Sequence, residues 1–248
     1  MNKIIGTIIG VAGAALLGFA TYSIIDGNSK ATDFAKYDFY SVIEPSADNG
    51  FIGDHVKGSA TAPVLIFEYA DYQCPGCAQI NTKINNILDQ LGDEVAVVYR
   101  SFLLSYHQNG TAAASAAEAA GLQGYWKSYA DILFNNQAEW EYANASDRTE
   151  YFNKYFNEAT NGQGDLDKFN EDIASEKVSK KISFDMGIAK RIDIGGTPAL
   201  YVDGQNINWS GAGSITINGK TISWDSSRGA ESDLLNLFTD IVDAKLGN

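Results

Sequence analysis

Cys74 and Cys77 are the only cysteines in this chain of 248 residues, and they stand two residues apart in the stretch ADYQCPGC. A pair at this spacing can close a small disulfide loop, supply half of a metal site, or cycle between dithiol and disulfide. The staple role fits poorly, because a cross-link between such near neighbours removes little entropy from the unfolded chain. With 45% hydrophobic residues the chain can build its core without one. Structural zinc needs four ligands, and the other soft candidates, His55 and His107, are isolated in sequence. No metal is expected, and a working dithiol remains.

A thiol attacks as its thiolate, and free cysteine has a pKa of about 8.5, so a working nucleophile needs its charge stabilised. The flanking patterns provide for that. Residues 63–70, PVLIFEYA, form an apolar run broken only by Glu68, which suits a strand buried on both faces. After Cys77, the residues Ile80, Ile84, Ile87, Leu88 and Leu91 recur at helical spacing up to Gly92. Cys74 therefore falls at a strand-to-helix junction, where unpaired amides and the helix dipole favour negative charge. Pro75 takes the first helical position, where a missing N–H costs nothing. Cys77, one turn inward, is placed to attack a mixed disulfide on Cys74 and release the partner.

Beyond the junction, residues 95–102 read as a second strand, and helical patterns follow at 111–123, 126–135, 147–159, 165–175 and 178–191. The aromatics of this stretch, among them Trp126, Tyr129, Phe134, Trp140, Phe152, Tyr155 and Phe156, are expected as the core of a helical subdomain. Residues 195–204, GGTPALYVDG, read as a strand entered through a Thr-Pro bond and left through an Asp-Gly turn. SITINGKTISW, at 214–224, alternates about Asn218-Gly219 as a hairpin. Ser232 can cap a last helix with Leu234, Leu235, Phe238, Ile241 and Val242 on its face. The fold class is α/β: strand, helix, strand, helical insert, strand, strand, helix.

The amino terminus is of another kind. Residues 4–25 carry no charge and are numerous enough to cross a hydrocarbon core of about 30 Å as a helix. An uncleaved membrane anchor is expected over residues 1–25, with residues 26–57, polar and mixed, as a spacer. Lys3 favours a cytoplasmic amino terminus, although Lys30 and Lys36 weaken the bias. The formal charge of −13 with scattered Lys and Arg argues against a nucleic-acid track.

Taken together, residues 58–246 resemble the DsbA-like thiol-disulfide oxidoreductases of the thioredoxin superfamily. The resemblance is carried by ATAPVLIFEYADYQCPGC, by YRSFLLSYHQNGTAAASAAEAA, by GGTPALYVDG and by the final helix. It implies a thioredoxin-like domain over 58–248 with a helical insertion at about 107–190. Cys74 then matches the attacking thiol and Cys77 the buried resolving thiol. Pro198 matches the family's cis-proline facing the dithiol, with Thr197 offering backbone hydrogen bonds to an extended substrate. Glu68 stands at the position of a buried acid near the resolving thiol; inside an apolar strand its pKa would rise, although a solvent-facing orientation is the alternative. Asp71 is expected as a turn or capping group, His107 as a structural residue at the mouth of the insert, and Arg100 as a surface or inter-domain contact. One departure stands out: the family's strongest oxidants have histidine where this chain has Gly76, which predicts a less oxidising dithiol.

The resemblance implies an enzyme without cofactor, acting outside the cytoplasm as a monomer. It would pass the Cys74–Cys77 disulfide to reduced secreted or membrane proteins and be reoxidised by a quinone-linked membrane partner. The alternatives are a reductase or isomerase of the same fold, and a redox-silent module that binds peptides.

Overall fold

The computed structural model describes residues 32–225 and 231–247. The expected anchor lies outside the described residues; among those described, no helix is long and apolar enough to cross a membrane.

The central strand is β2 (Val64–Ala70), whose Val64, Ile66, Phe67, Tyr69 and Ala70 are all buried. Alternation along a strand sends successive side chains to opposite faces. Val64 and Ile66 therefore join one apolar cluster and Phe67 and Tyr69 another. Strand β3 (Val95–Ser101) runs parallel to β2, and the short β1 (His55–Lys57) pairs antiparallel with β3. On the other side β4 (Ala199–Val202) pairs antiparallel with β2, and β5 (Gln205–Ile207) with β4. The five strands lie in the order β1-β3-β2-β4-β5.

Helix α1 (Pro75–Leu91) and the carboxy-terminal helix, labelled α8 (Glu231–Leu246) after the six of the insert, cover one face of the sheet. Ile80, Ile84 and Ile87 of α1 meet Leu234, Leu237, Phe238 and Ile241 of α8 there. Burying each such side chain is worth about 1.5–3 kcal/mol, which fixes α1 firmly behind the strand that leads into it.

The insert holds α2 (Gly110–Leu122), α3 (Trp126–Asn135), α4 (Gln137–Trp140), α5 (Ala145–Ala159), α6 (Leu166–Ile173) and α7 (Glu176–Arg191). Six alanines of α2, at 113, 114, 116, 117, 119 and 120, are buried. Their small side chains let neighbouring helices approach closely. The aromatics named from the sequence fill that core, with Phe156 stacked on Phe169 at 4.2 Å.

Residues 34–57 correct the spacer reading. Phe34 and Tyr37 pack on Phe184 of α7, with ring centroids 5.2 and 4.9 Å away. Ile43, Asn49 and Ile52 are buried, and β1 joins the sheet. Phe34, Tyr37, Phe39 and Tyr40 of this polar segment pack, together with α7, on the second face of the sheet. Arg100, expected as a surface or inter-domain contact, is fully buried and donates to the Phe39 and Ser41 carbonyls, which corrects the surface alternative.

Asp203-Gly204 and Asn218-Gly219, both with positive φ, make the turns of β4–β5 and of the hairpin β6 (Ala212–Ile217) and β7 (Lys220–Asp225). That hairpin forms a separate two-stranded sheet.

Candidate active site

The end of β2 and the start of α1 put Cys74 at the N-cap of the helix, in extended conformation, with Pro75 in the first turn. Its carbonyl accepts from the amides of Cys77 and Ala78 at 3.0 and 3.2 Å. Cys74 keeps 8% of its surface and Cys77 none, so Cys74 is the more accessible of the two. Both are free thiols in this structure.

The surroundings separate the two thiols. A hydrogen bond from Cys77 is the largest influence on Cys74; it outweighs burial and, helped by Thr197 and the Cys77 and Gly76 amides, brings the pKa to about 5. Burial pushes the Cys77 thiol well above its ordinary value, reinforced by Cys74 and by Glu68. The outcome is a thiolate on the accessible sulfur and a proton on the hidden one at neutral pH. Such a division suits a nucleophile with a resolving partner.

Thr197 and Pro198 arrive from the opposite side, just before β4, and the bond between them is cis. The Cys74 thiol donates to the Thr197 carbonyl at 3.4 Å, while Thr197 Oγ1 is buried with no partner. A Cβ placed on Gly76 would lie 3.1 Å from Pro198 Cδ, tighter than ordinary van der Waals contact, which gives glycine a steric reason to occupy this position.

Glu68 is buried, on the α1 face of β2, which decides between the two orientations left open by the sequence. Burial raises its pKa to about 7 against the opposing charge of Lys57, and its Oε1 has no hydrogen-bond partner. Lys57 itself is buried and donates to Asn81 (2.6 Å), Asn85 (3.2 Å) and Asp131.

Asp71 caps its own turn by accepting from the Gln73 amide at 2.9 Å. It also accepts from the Leu104 amide and sits 2.9 Å from His107 Nδ1, so His107 ties the dithiol loop to the insert. Gln73 adds a second tie, donating to the Glu141 carbonyl and accepting from the Asn109 amide, each at 2.7 Å. Gln137 adds a third, to the Tyr72 carbonyl. Sequence reasoning missed Gln73, Tyr72 and Lys57. Gln73, as the polar residue directly before Cys74, was the one with a positional signal.

The sequence model of the thioredoxin family matches residues 51–227. Among curated proteins, the Na(+)/H(+) antiporter NhaA 1 of Mycolicibacterium vanbaalenii is 34% identical over 154 residues, covering 61% of this chain and 23% of that protein. The chain spans about a quarter of the length of the first curated relatives it matches. Among solved structures, oxidised BdbD from Bacillus subtilis superposes with a TM-score of 0.59 at 17% identity, over 84% of this chain and 99% of that one. Alpha-DsbA1 from Wolbachia pipientis gives 0.55 at 24% identity, over 78% and 91%.

Proposed function

The chain belongs to the thioredoxin family, with a DsbA-like fold, and from that premise we propose that it is a thiol-disulfide oxidoreductase donating its Cys74–Cys77 disulfide to substrate proteins. One observation carries the reading: a thiol at a helix N-terminus brought to about 5, stacked over a buried thiol pushed the other way.

The proposed cycle balances as follows. A substrate thiolate attacks Cys74 Sγ of the oxidised pair, forming a mixed disulfide and expelling Cys77 as a thiolate that needs a proton. Glu68, near pH 7 in affinity, is suited to supply it. A second substrate thiolate then attacks the substrate sulfur, which completes the substrate disulfide and expels Cys74 as a thiolate. The low pKa of Cys74 makes it a good leaving group and stabilises the reduced enzyme, which favours disulfide donation. Gly76 offers no side-chain donor, yet Cys77, Thr197 and the helix amides supply stabilisation without it.

We further propose an extracytoplasmic, membrane-anchored site of action, supported by the apolar run at residues 4–25 and by the oxidising compartments in which disulfide donors work. Reduced secreted or membrane proteins would be the substrates, and a quinone-linked membrane protein the reoxidant. Transport is not carried over from the antiporters, because the chain matches so little of their length.

The full chain with Cys77→Ala should accumulate mixed disulfides on Cys74 in cells, and adding Cys74→Ser should abolish them. Absence of any trapped species would overturn the exchange reading. Equilibration of the wild-type pair with glutathione tests direction: a potential as low as thioredoxin's, about −270 mV, would overturn disulfide donation while leaving exchange intact.

A further inference from the structure

The β6–β7 hairpin and the segment that leads into it are not used by the cycle above, yet this segment reaches the dithiol. A Cβ placed on Gly76 would lie 3.6 Å from Trp209 Cζ2, 3.8 Å from Cys74 Sγ and 3.1 Å from Pro198 Cδ. The Trp209 indole, the accessible sulfur and the cis-proline ring thus border the same small space, left open because residue 76 has no side chain.

Trp209 is held there by the hairpin. Trp224 of β7 donates its indole N–H to the carbonyl of Asn208 at 2.9 Å, fixing the residue directly before Trp209. The Gly211 amide donates to the same carbonyl, and Asn208 Nδ2 reaches the Ala212 carbonyl. Trp224 can lie across the hairpin because its cross-strand partner is Gly213, where a Cβ would come within 2.4 Å of the ring. Gln205 of β5 bonds both the amide and the carbonyl of Thr216, at 3.0 and 2.9 Å, stitching the hairpin to the edge of the main sheet. Trp209 itself is half-buried, packed on the cluster formed by α1, α8 and the sheet, with an exposed remainder. On its α1 side the Lys83 ammonium stands 6.0 Å from the ring centroid.

We propose that Trp209 is a specificity-determining residue of the exchange reaction: it walls the cleft beside Cys74 and selects substrates with an apolar side chain next to the reacting cysteine. A substrate sulfur bonded to Cys74 Sγ sits at the border of that space, so the side chain adjoining it is within reach of the exposed part of the indole. An apolar side chain loses water against the ring, whereas glycine gains nothing and a charged group loses solvation. The hairpin is the brace that keeps the wall in place. This rests on the exchange reading, and the test separates the two.

In the Cys77→Ala background, the Cys74 thiolate attacks a symmetrical peptide disulfide, forming one mixed disulfide and releasing one peptide thiolate. Two such peptides, identical except for leucine or glycine beside the cysteine, are compared by rate of mixed-disulfide formation. The leucine peptide should react about tenfold faster, in the range that one apolar contact supports. Trp209→Ala should reduce that ratio to near one, Trp209→Phe should retain most of it, and Trp224→Phe, which releases Asn208 but leaves Trp209, should lower it partway. A preference that survives in Trp209→Ala, or a loss of rate shared equally by both peptides, overturns the role of Trp209. Failure of either peptide to form a mixed disulfide in the parent protein would instead overturn the exchange reading and this inference with it.

Discussion

The sheet buries carboxyl groups on both faces and treats them differently. On the α7 face, Arg100 donates twice to Asp54, at 3.2 Å from Nε and 2.7 Å from Nη2 to the same Oδ2. Lys181 reaches Asp54 at 3.2 Å and Asp185 at 2.7 Å, while Asp185 also accepts from the Ser101 amide at 3.0 Å. Both cations thus have carboxylate partners. On the α1 face Glu68 is just as buried, yet its Oε1 has no partner and its pKa stands at about 7. Where the fold needs a joint between strand, α7 and the amino-terminal segment, charges are matched. On the α1 face the Glu68 carboxyl keeps one oxygen without a partner, while the nearby cation, Lys57, is bonded to Asn81, Asn85 and Asp131.

The sharpest way to break this contrast is to remove one member of the matched cluster. Arg100→Met should destabilise the protein by about 3–5 kcal/mol, because Asp54 loses its guanidinium partner without returning to water. The Phe39 and Ser41 carbonyls would lose their donor as well, so the amino-terminal segment should loosen first. Urea unfolding measures the loss, and proteolysis within residues 34–54 locates it. A drop below about 1 kcal/mol would mean that the cluster is not the lock it resembles.

Glu68→Gln should act in the opposite sense. Because burial raises the folded-state pKa from 4.5 to about 7, the folded protein binds the proton more tightly than the unfolded chain does. Stability is therefore fullest below pH 4.5 and falls as pH rises toward 7, by about 3 kcal/mol. Glutamine removes that slope, so the variant should match wild type at pH 4 and exceed it at pH 8 in urea titrations. Its disulfide-exchange rate should lose an inflection near pH 7. A variant less stable than wild type at pH 8 would show that Glu68 is paired after all.

This difference between the two faces also marks what a sequence shows and what it hides. The junction was legible because it is local: a buried run, two cysteines, a proline at the first turn and a helical repeat lie within about thirty residues. The turns at Asp203-Gly204 and Asn218-Gly219 were legible for the same reason, since positive φ selects those residues. Arg100 read as a surface or inter-domain contact because its partners come from 54, 69, 39 and 41, and no local pattern announces them. Residues 34–57 read as a spacer since their apolar positions follow no helical or strand period; only the sheet face they cover gives them order. Lys57 meets Asp131 across 74 residues, and Trp209 meets Gly76 across more than a hundred. Long-range partners of single polar or aromatic residues were the unreadable part.

Thr197 offers the finest test of the unmatched side. Its Oγ1 is buried without a partner, and the Cys74 thiol donates to the Thr197 carbonyl. Once Cys74 ionises it has no proton to give and can only accept, and the hydroxyl then has an anion to donate to. Thr197→Val keeps the shape and removes that donor, so the thiolate is less favoured and the Cys74 pKa should rise from about 5 by roughly one unit. Thr197→Ser should restore it. The pH dependence of iodoacetamide alkylation at Cys74 reads the midpoint directly, in protein that keeps Cys77 so that the buried thiol still contributes its own hydrogen bond. An unchanged midpoint in Thr197→Val would assign the acidity of Cys74 to Cys77 and the helix amides alone, and the unpartnered hydroxyl would belong to substrate binding instead of to the thiolate.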